Sequence, residues 1–180
     1  MHTNKTLIQN DLSVNAKIVN GEVYVKANNV SVRVSNYVYG FDFTETETEG
    51  EFVLWVIKAS GLYRCNVTIR GLDISFTEAP FVMTARSVAA KLTTVGFFVA
   101  VLVGQQLRIY YSDTYKQLNW SEERKPDFDL EVDYSGQTLR VLYSKTASPE
   151  QVYVDEYTFS GVTLVNKLQV FDFKFGVTAS

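Results

Sequence analysis

The feature that most constrains this chain is a two-residue alternation of apolar and polar side chains, repeated in segment after segment. In Leu12-Ser13-Val14-Asn15-Ala16-Lys17-Ile18 the even positions are apolar and the odd positions polar. A strand sends successive side chains to opposite faces, so this period makes a half-buried β-strand and does not make a one-sided helix. Asn20-Gly21 follows, and both residues tolerate the positive φ that a two-residue hairpin turn needs. Residues 12–27 therefore read as a hairpin. Val30, Val32 and Val34 alternate with Ser31, Arg33 and Ser35, and Tyr37 to Phe43 keeps the period past a break at Gly40. Tyr63, Cys65, Val67 and Ile69 fall on one face, with Arg64, Asn66, Thr68 and Arg70 on the other. Cys65 is thus expected as a small buried hydrophobe.

Two segments break the alternation by being apolar throughout, Phe52 to Ile57 and Val95 to Val103. A strand of that kind suits a sheet covered on both faces. The acidic stretch Thr44 to Glu49 reads as a solvated arm or loop closing at Gly50, because neighbouring carboxylates repel unless a cation binds them. Residues 84–93, TARSVAAKLT, have the chain's one helical pattern, with Val88, Ala89 and Leu92 able to share a face. Ser112 to Asp127 reads as a polar and aromatic loop. Phe128, Leu130, Val132 and Tyr134 then alternate with Asp127, Asp129, Glu131 and Asp133. That acidic row is read as a solvated sheet face, with a cation site or a glycosidase carboxylate pair as the sharper alternatives. The whole pattern amounts to roughly a dozen short strands between turn residues. The expected fold class is all-β, an antiparallel β-sandwich of jelly-roll type with at most one short helix. Residues 1–11 are expected as an N-terminal arm and residues 12–180 as a single sandwich domain.

Composition narrows the chemistry. The 180 residues include one Cys and one His, which excludes an intrachain disulfide and the usual four-ligand Cys/His zinc site. His2, beside the terminus, is the sole imidazole available to a catalytic triad. No cofactor or metal is expected, and the chain is read as a non-enzyme. The formal net charge is −3 and Lys and Arg are scattered, so no basic stripe announces nucleic-acid binding. The N-terminus MHTNKTLIQN has no apolar core of a signal peptide. The longest apolar run falls well short of the ~20 residues a membrane helix needs.

Three segments, GFFVAVLVGQQLRIYY, FDLEVDYSGQTLRVLYS and LQVFDFKFG, carry a resemblance. Val132-Asp133-Tyr134-Ser135-Gly136 followed by Leu139-Arg140-Val141 is similar to the Tyr-Asp/Ser-Gly turn and Leu-x-Val strand of concanavalin-A-like and laminin-G-like jelly rolls. The resemblance covers about residues 95–175 and implies jelly-roll architecture and glycan binding. The legume-type metal and sugar constellation is not recognisable, and no binding residue is carried over.

Tyr110, Asp113, Tyr115, Asn119 and Trp120 combine aromatic rings with an amide and a carboxylate. They are the candidate interface or glycan-binding residues, with packing over the core as the plain alternative. A compact, aromatic-rich body poor in catalytic residue types leads to the expectation of a structural assembly protein. The specific form expected is a virion component, a capsid decoration, spike or tail-associated subunit of a bacteriophage, assembled in the host cytoplasm. Its partners would be further copies of itself and other virion proteins, with no nucleic acid or membrane. A lectin-like carbohydrate-binding module or adhesin is the alternative.

Overall fold

The structure is a computed structural model that describes residues 1–93, 96–104, 106–111, 114–119, 132–135, 138–145, 148–160 and 163–172. Side chains are described as far as residue 110, except at 93–95, 105 and 107.

All described secondary structure is β. Sheet 1 comprises β1 (Asn4–Gln9), β2 (Leu12–Val19), β3 (Glu22–Ala27) and β4 (Val30–Ser35). Sheet 2 comprises β5 (Gly40–Glu45), β6 (Glu51–Lys58), β7 (Gly61–Arg70) and β8 (Asp73–Met83). Sheet 3 comprises β9 (Ser87–Thr93), β10 (Gly96–Val103), β11 (Gln106–Tyr111) and β12 (Thr114–Asn119). Sheet 4 comprises β13 (Val132–Ser135), β14 (Thr138–Lys145), β15 (Ser148–Ser160) and β16 (Thr163–Asp172). Every pairing is antiparallel and joins neighbours in sequence, so each sheet is a four-stranded meander.

Short turns dictate this. Asn10-Asp11, Asn20-Gly21 and Asn28-Asn29 each close a two-residue loop in sheet 1, and Asn10, Asn20, Asn28 and Asn29 all adopt positive φ, between 51° and 64°. That is the twist a tight hairpin needs, and Asn reaches it at low cost. A two-residue loop can only deliver the chain to the adjacent strand. The Greek-key crossovers of a jelly roll need long connections, and the described sheets contain none.

The sheets stack face to face. One core lies between sheets 1 and 2, where Val14, Ala16, Val23, Val25 and Val34 meet Phe41, Phe43, Phe52, Leu54, Val56, Cys65 and Val67. A second lies between sheets 2 and 3, where Val53, Trp55, Ile57, Leu62 and Val82 meet Val88, Ala90, Val99 and Val101. The first two strands of sheet 2 are therefore buried on both faces, and β6 is buried from Phe52 to Ile57 without a break. The uniformly apolar sequence there answers two partners at once. Fully burying one such side chain contributes about 1.5–3 kcal/mol. Sheet 1 is different. Its outer face carries Asn4, Thr6, Asn15, Glu22, Tyr24 and Arg33, tied by side-chain hydrogen bonds such as Asn15 Nδ2 to Asn4 Oδ1 at 2.8 Å. The strict alternation of residues 12–34 is the signature of this one-sided burial.

The first strands of successive sheets adjoin: β1 packs beside β5, β5 beside β9, and β9 beside β13. Four-stranded meanders ranged with their leading strands inward form the blades of a propeller-like array. The all-β antiparallel expectation holds, and the paired faces of successive sheets are packed as in a sandwich.

Local readings change in three places. Asn4–Gln9, assigned to an N-terminal arm, forms β1 and pairs with β2 along its length. Residues 84–93, read as helical, contain strand β9. Val88 and Ala90 face sheet 2, while Ala89 is also buried, so burial on both faces blurs the period. The segment read as a loop from Ser112 contains β12, which pairs with β11 from Gln106↔Asn119 to Tyr111↔Thr114.

Candidate functional site

Where the leading strands meet, one carboxylate organises the centre. Asp42 lies on β5, on the face turned to sheet 3, and is 4% exposed. Its Oδ1 accepts from Lys5 Nζ of β1 at 2.8 Å and from its neighbour Phe43 N at 2.8 Å. Its Oδ2 accepts from Ala90 N of β9 at 2.7 Å. The Ala90 N–H belongs to the leading edge of sheet 3, where no strand pairs with it, and Asp42 supplies the missing acceptor. His2 Nε2 stands 3.7 Å from Oδ1, and the His2 and Phe41 backbones bridge in antiparallel fashion. Three sheets are thus pinned to one residue. The cleft above it, about 360 Å³, is lined by His2, Lys5, Asp42, Thr44, Glu45 and Lys91 among others. The Thr44 hydroxyl is buried there without a hydrogen-bond partner. Chemically this is a structural node. Asp42 is engaged by three donors, one from each of β1, β5 and β9.

A second polar cluster lies at the outer strand of sheet 2. Glu78 on β8 accepts from Ser35 Oγ at 2.6 Å and from Lys58 Nζ at 2.9–3.0 Å, and the Cys65 thiol approaches Oε1 at 3.5 Å. Burial pushes the Glu78 carboxyl up, but the Ser35 and Lys58 hydrogen bonds and the Lys58 charge outweigh it and hold it below its ordinary value. Burial, reinforced by the neighbouring Glu78 carboxylate, pushes the Cys65 thiol far above its ordinary value. A buried thiol facing a carboxylate is a poor nucleophile, which fits the sequence reading of Cys65 as a small hydrophobe that is fully buried.

The third cluster is aromatic. Trp55 packs edge-on against Phe81 and Phe97, with ring centroids 5.1 and 6.0 Å apart, and Phe81 meets Tyr110 at 5.2 Å. The Arg64 guanidinium lies over Trp55 at 5.2 Å and over Phe97 at 5.6 Å. Its Nε donates to Asn66 Oδ1 at 2.9 Å. Burial lowers the Arg64 pKa from its ordinary value.

Of the residues singled out in the sequence, Tyr110 is half-buried in this aromatic cluster. Tyr115 and Asn119 fall on β12, in register with Tyr110 and Gln106 respectively. Asp113 and Trp120 lie outside the described residues, as do Asp127, Asp129 and Glu131 of the acidic row. Sequence reasoning missed Asp42, Glu78 and Arg64. Asp42 did carry a signal, since it is the one charged residue between Phe41 and Phe43 in a strand whose every residue but the last is buried.

No family model matches the chain, and no curated protein matches it. Among solved structures the chain is similar to the one titled "Crystal structure of BBS1N in complex with ARL6DN, soaked with mercury", with a TM-score of 0.55 at 14% identity. The match covers 93% of this chain and 53% of that one, so this chain spans about half of its length. At that identity the likeness shows the fold alone.

Proposed function

We propose that this chain is a non-catalytic assembly protein, a stack of rigid blades that works by contact. The observation that carries the reading is the outer strand of sheet 2. Along β8 and its preceding turn, Leu72, Phe76, Phe81 and Met83 are 69, 42, 38 and 51% exposed. Among the described residues no strand pairs with the outer edge of β8. An unpaired strand with large apolar side chains in water is a template for another chain. The described charged clusters, by contrast, are occupied with joining strands. A virion component is the specific form of assembly protein that the sequence suggests, and the same rigid, catalysis-poor body supports it.

Native mass spectrometry and light scattering test the reading. The expected result is an assembly heavier than the 20.4 kDa chain that Phe76→Lys with Met83→Lys disperses. A monomer at every concentration, or an assembly that the double variant leaves intact, would overturn the proposal.

A further inference from the structure

Where sheets 2 and 3 face each other, two arginines have no carboxylate partner among the described residues. Arg64 on β7 has Asn66 and the faces of Trp55 and Phe97 as its partners. Arg108 on β11 is opposite Val101 in register, so it stands on the face of sheet 3 that meets sheet 2. Among the described residues its buried Nε has no hydrogen-bond partner, and its terminal nitrogen makes a long contact, 3.4 Å, to Gln106 Oε1. Tyr110, two residues along the same strand, touches Phe81. Phe81 in turn touches Trp55, over which Arg64 lies, so a continuous run of ring contacts joins the surroundings of the two arginines.

This is an unusual arrangement for a chain with 20 Asp and Glu against 17 Lys and Arg. Carboxylates are plentiful, yet among the described residues none is set beside these two guanidinium groups. A half-desolvated guanidinium gains most from a planar, two-oxygen acceptor. The adjoining rings of Phe81 and Phe97 offer apolar surface beside the charges.

We propose that this region docks an acidic segment of a partner protein. Its Asp or Glu carboxylates meet Arg64 and Arg108, and its apolar side chains lie against Phe81 and Phe97. The inference rests on the contact reading above and supplies the chemistry of the partner.

The test uses the full chain labelled with nitrogen-15 and three probes at matched ionic strength: hexaglutamate, hexalysine and inorganic phosphate. Hexaglutamate is expected to shift the Trp55 indole N–H and Arg64 Nε–H signals saturably, and hexalysine to leave them in place. Arg64→Gln and Arg108→Gln should each weaken hexaglutamate roughly tenfold or more, the worth of a charge-assisted hydrogen bond. Arg64→Lys keeps the charge but loses the planar fork and should weaken it to a lesser degree, which separates lost recognition from lost folding. Arg33→Gln, on the outer face of sheet 1, should leave binding unchanged. The proposal is overturned by unshifted signals, by phosphate binding as tightly as the peptide, or by equal weakening in Arg33→Gln. Self-assembly read by native mass is independent of these signals, so the docking inference and the contact reading fail separately.

Discussion

Asp42 shows what a single side chain can hold. Lys5 and Ala90 come from strands of different sheets, and both donate to it. Asp42→Ala strands a buried backbone N–H and an ammonium together, and removing one partner of a largely buried ion pair costs about 3–5 kcal/mol. Urea unfolding should show that loss, and Asp42→Asn, which keeps one acceptor oxygen, should lose less. Glu78 gives stability a pH dependence. Its folded pKa is depressed, so its contribution is present above the ordinary carboxylate range and disappears as pH falls through the folded value. The stability difference between the wild type and Glu78→Gln, measured by thermal unfolding, should therefore shrink as the solution is taken below about pH 4. The buried Cys65 thiol should react with a disulfide reagent only after denaturant opens the fold. Such roles were hard to see in the sequence because each joins residues far apart along the chain. Ser35 and Glu78 bond across 43 positions, and no period or motif registers such a pair. Cys65 was legible because its neighbours on the same face are all apolar.

At the scale of strands and turns the sequence spoke more clearly, and its errors have causes. Alternation located β2, β3, β4 and β7 because each has one wet and one dry face or edge. It failed over Ser87–Thr93, where small residues buried on two sides carry no period and alanines favour a helix in isolation. It also failed at β1 and β12, whose polar compositions read as arm and loop although each is fully paired. Turn chemistry makes a sharper forecast. Gly61 has φ +140°, and a Cβ there would collide with the backbone carbonyl of Val82. Gly21 has φ +76° with open space around it. Gly21→Ala should cost about 1–2 kcal/mol from the left-handed backbone alone. Gly61→Ala should cost more, because β8 must also move, and thermal melts of the two variants should rank them in that order.

Across the whole molecule, the layer order is written in the degree of burial. A half-polar sheet 1 rests on sheet 2, whose strands β5 and β6 are buried on both faces, and sheet 3 is buried toward sheet 2 and on its other face at Ala89, Phe98, Ala100, Leu102 and Ile109. Leu54→Ala in the gap between sheets 1 and 2 should therefore cost about 2–5 kcal/mol. Lys17→Ala on the outer face of sheet 1 should stay within about 0.5 kcal/mol. Chemical denaturation of both variants checks this contrast. The jelly-roll resemblance drew on hairpins that many antiparallel sheets share, and hairpins alone do not reveal whether sheets interleave or follow one another.

Because, among the described residues, it is sheet 2 that covers the valines of sheet 1, β1 to β4 cannot settle by themselves before sheet 2 is made. Val14, Val23 and Val25 wait in water until Phe41 to Ile69 have been made and folded down upon them. Synthesis of this chain thus passes through an interval of sticky, half-clad hairpins, and that interval is when a cell's chaperones would meet it.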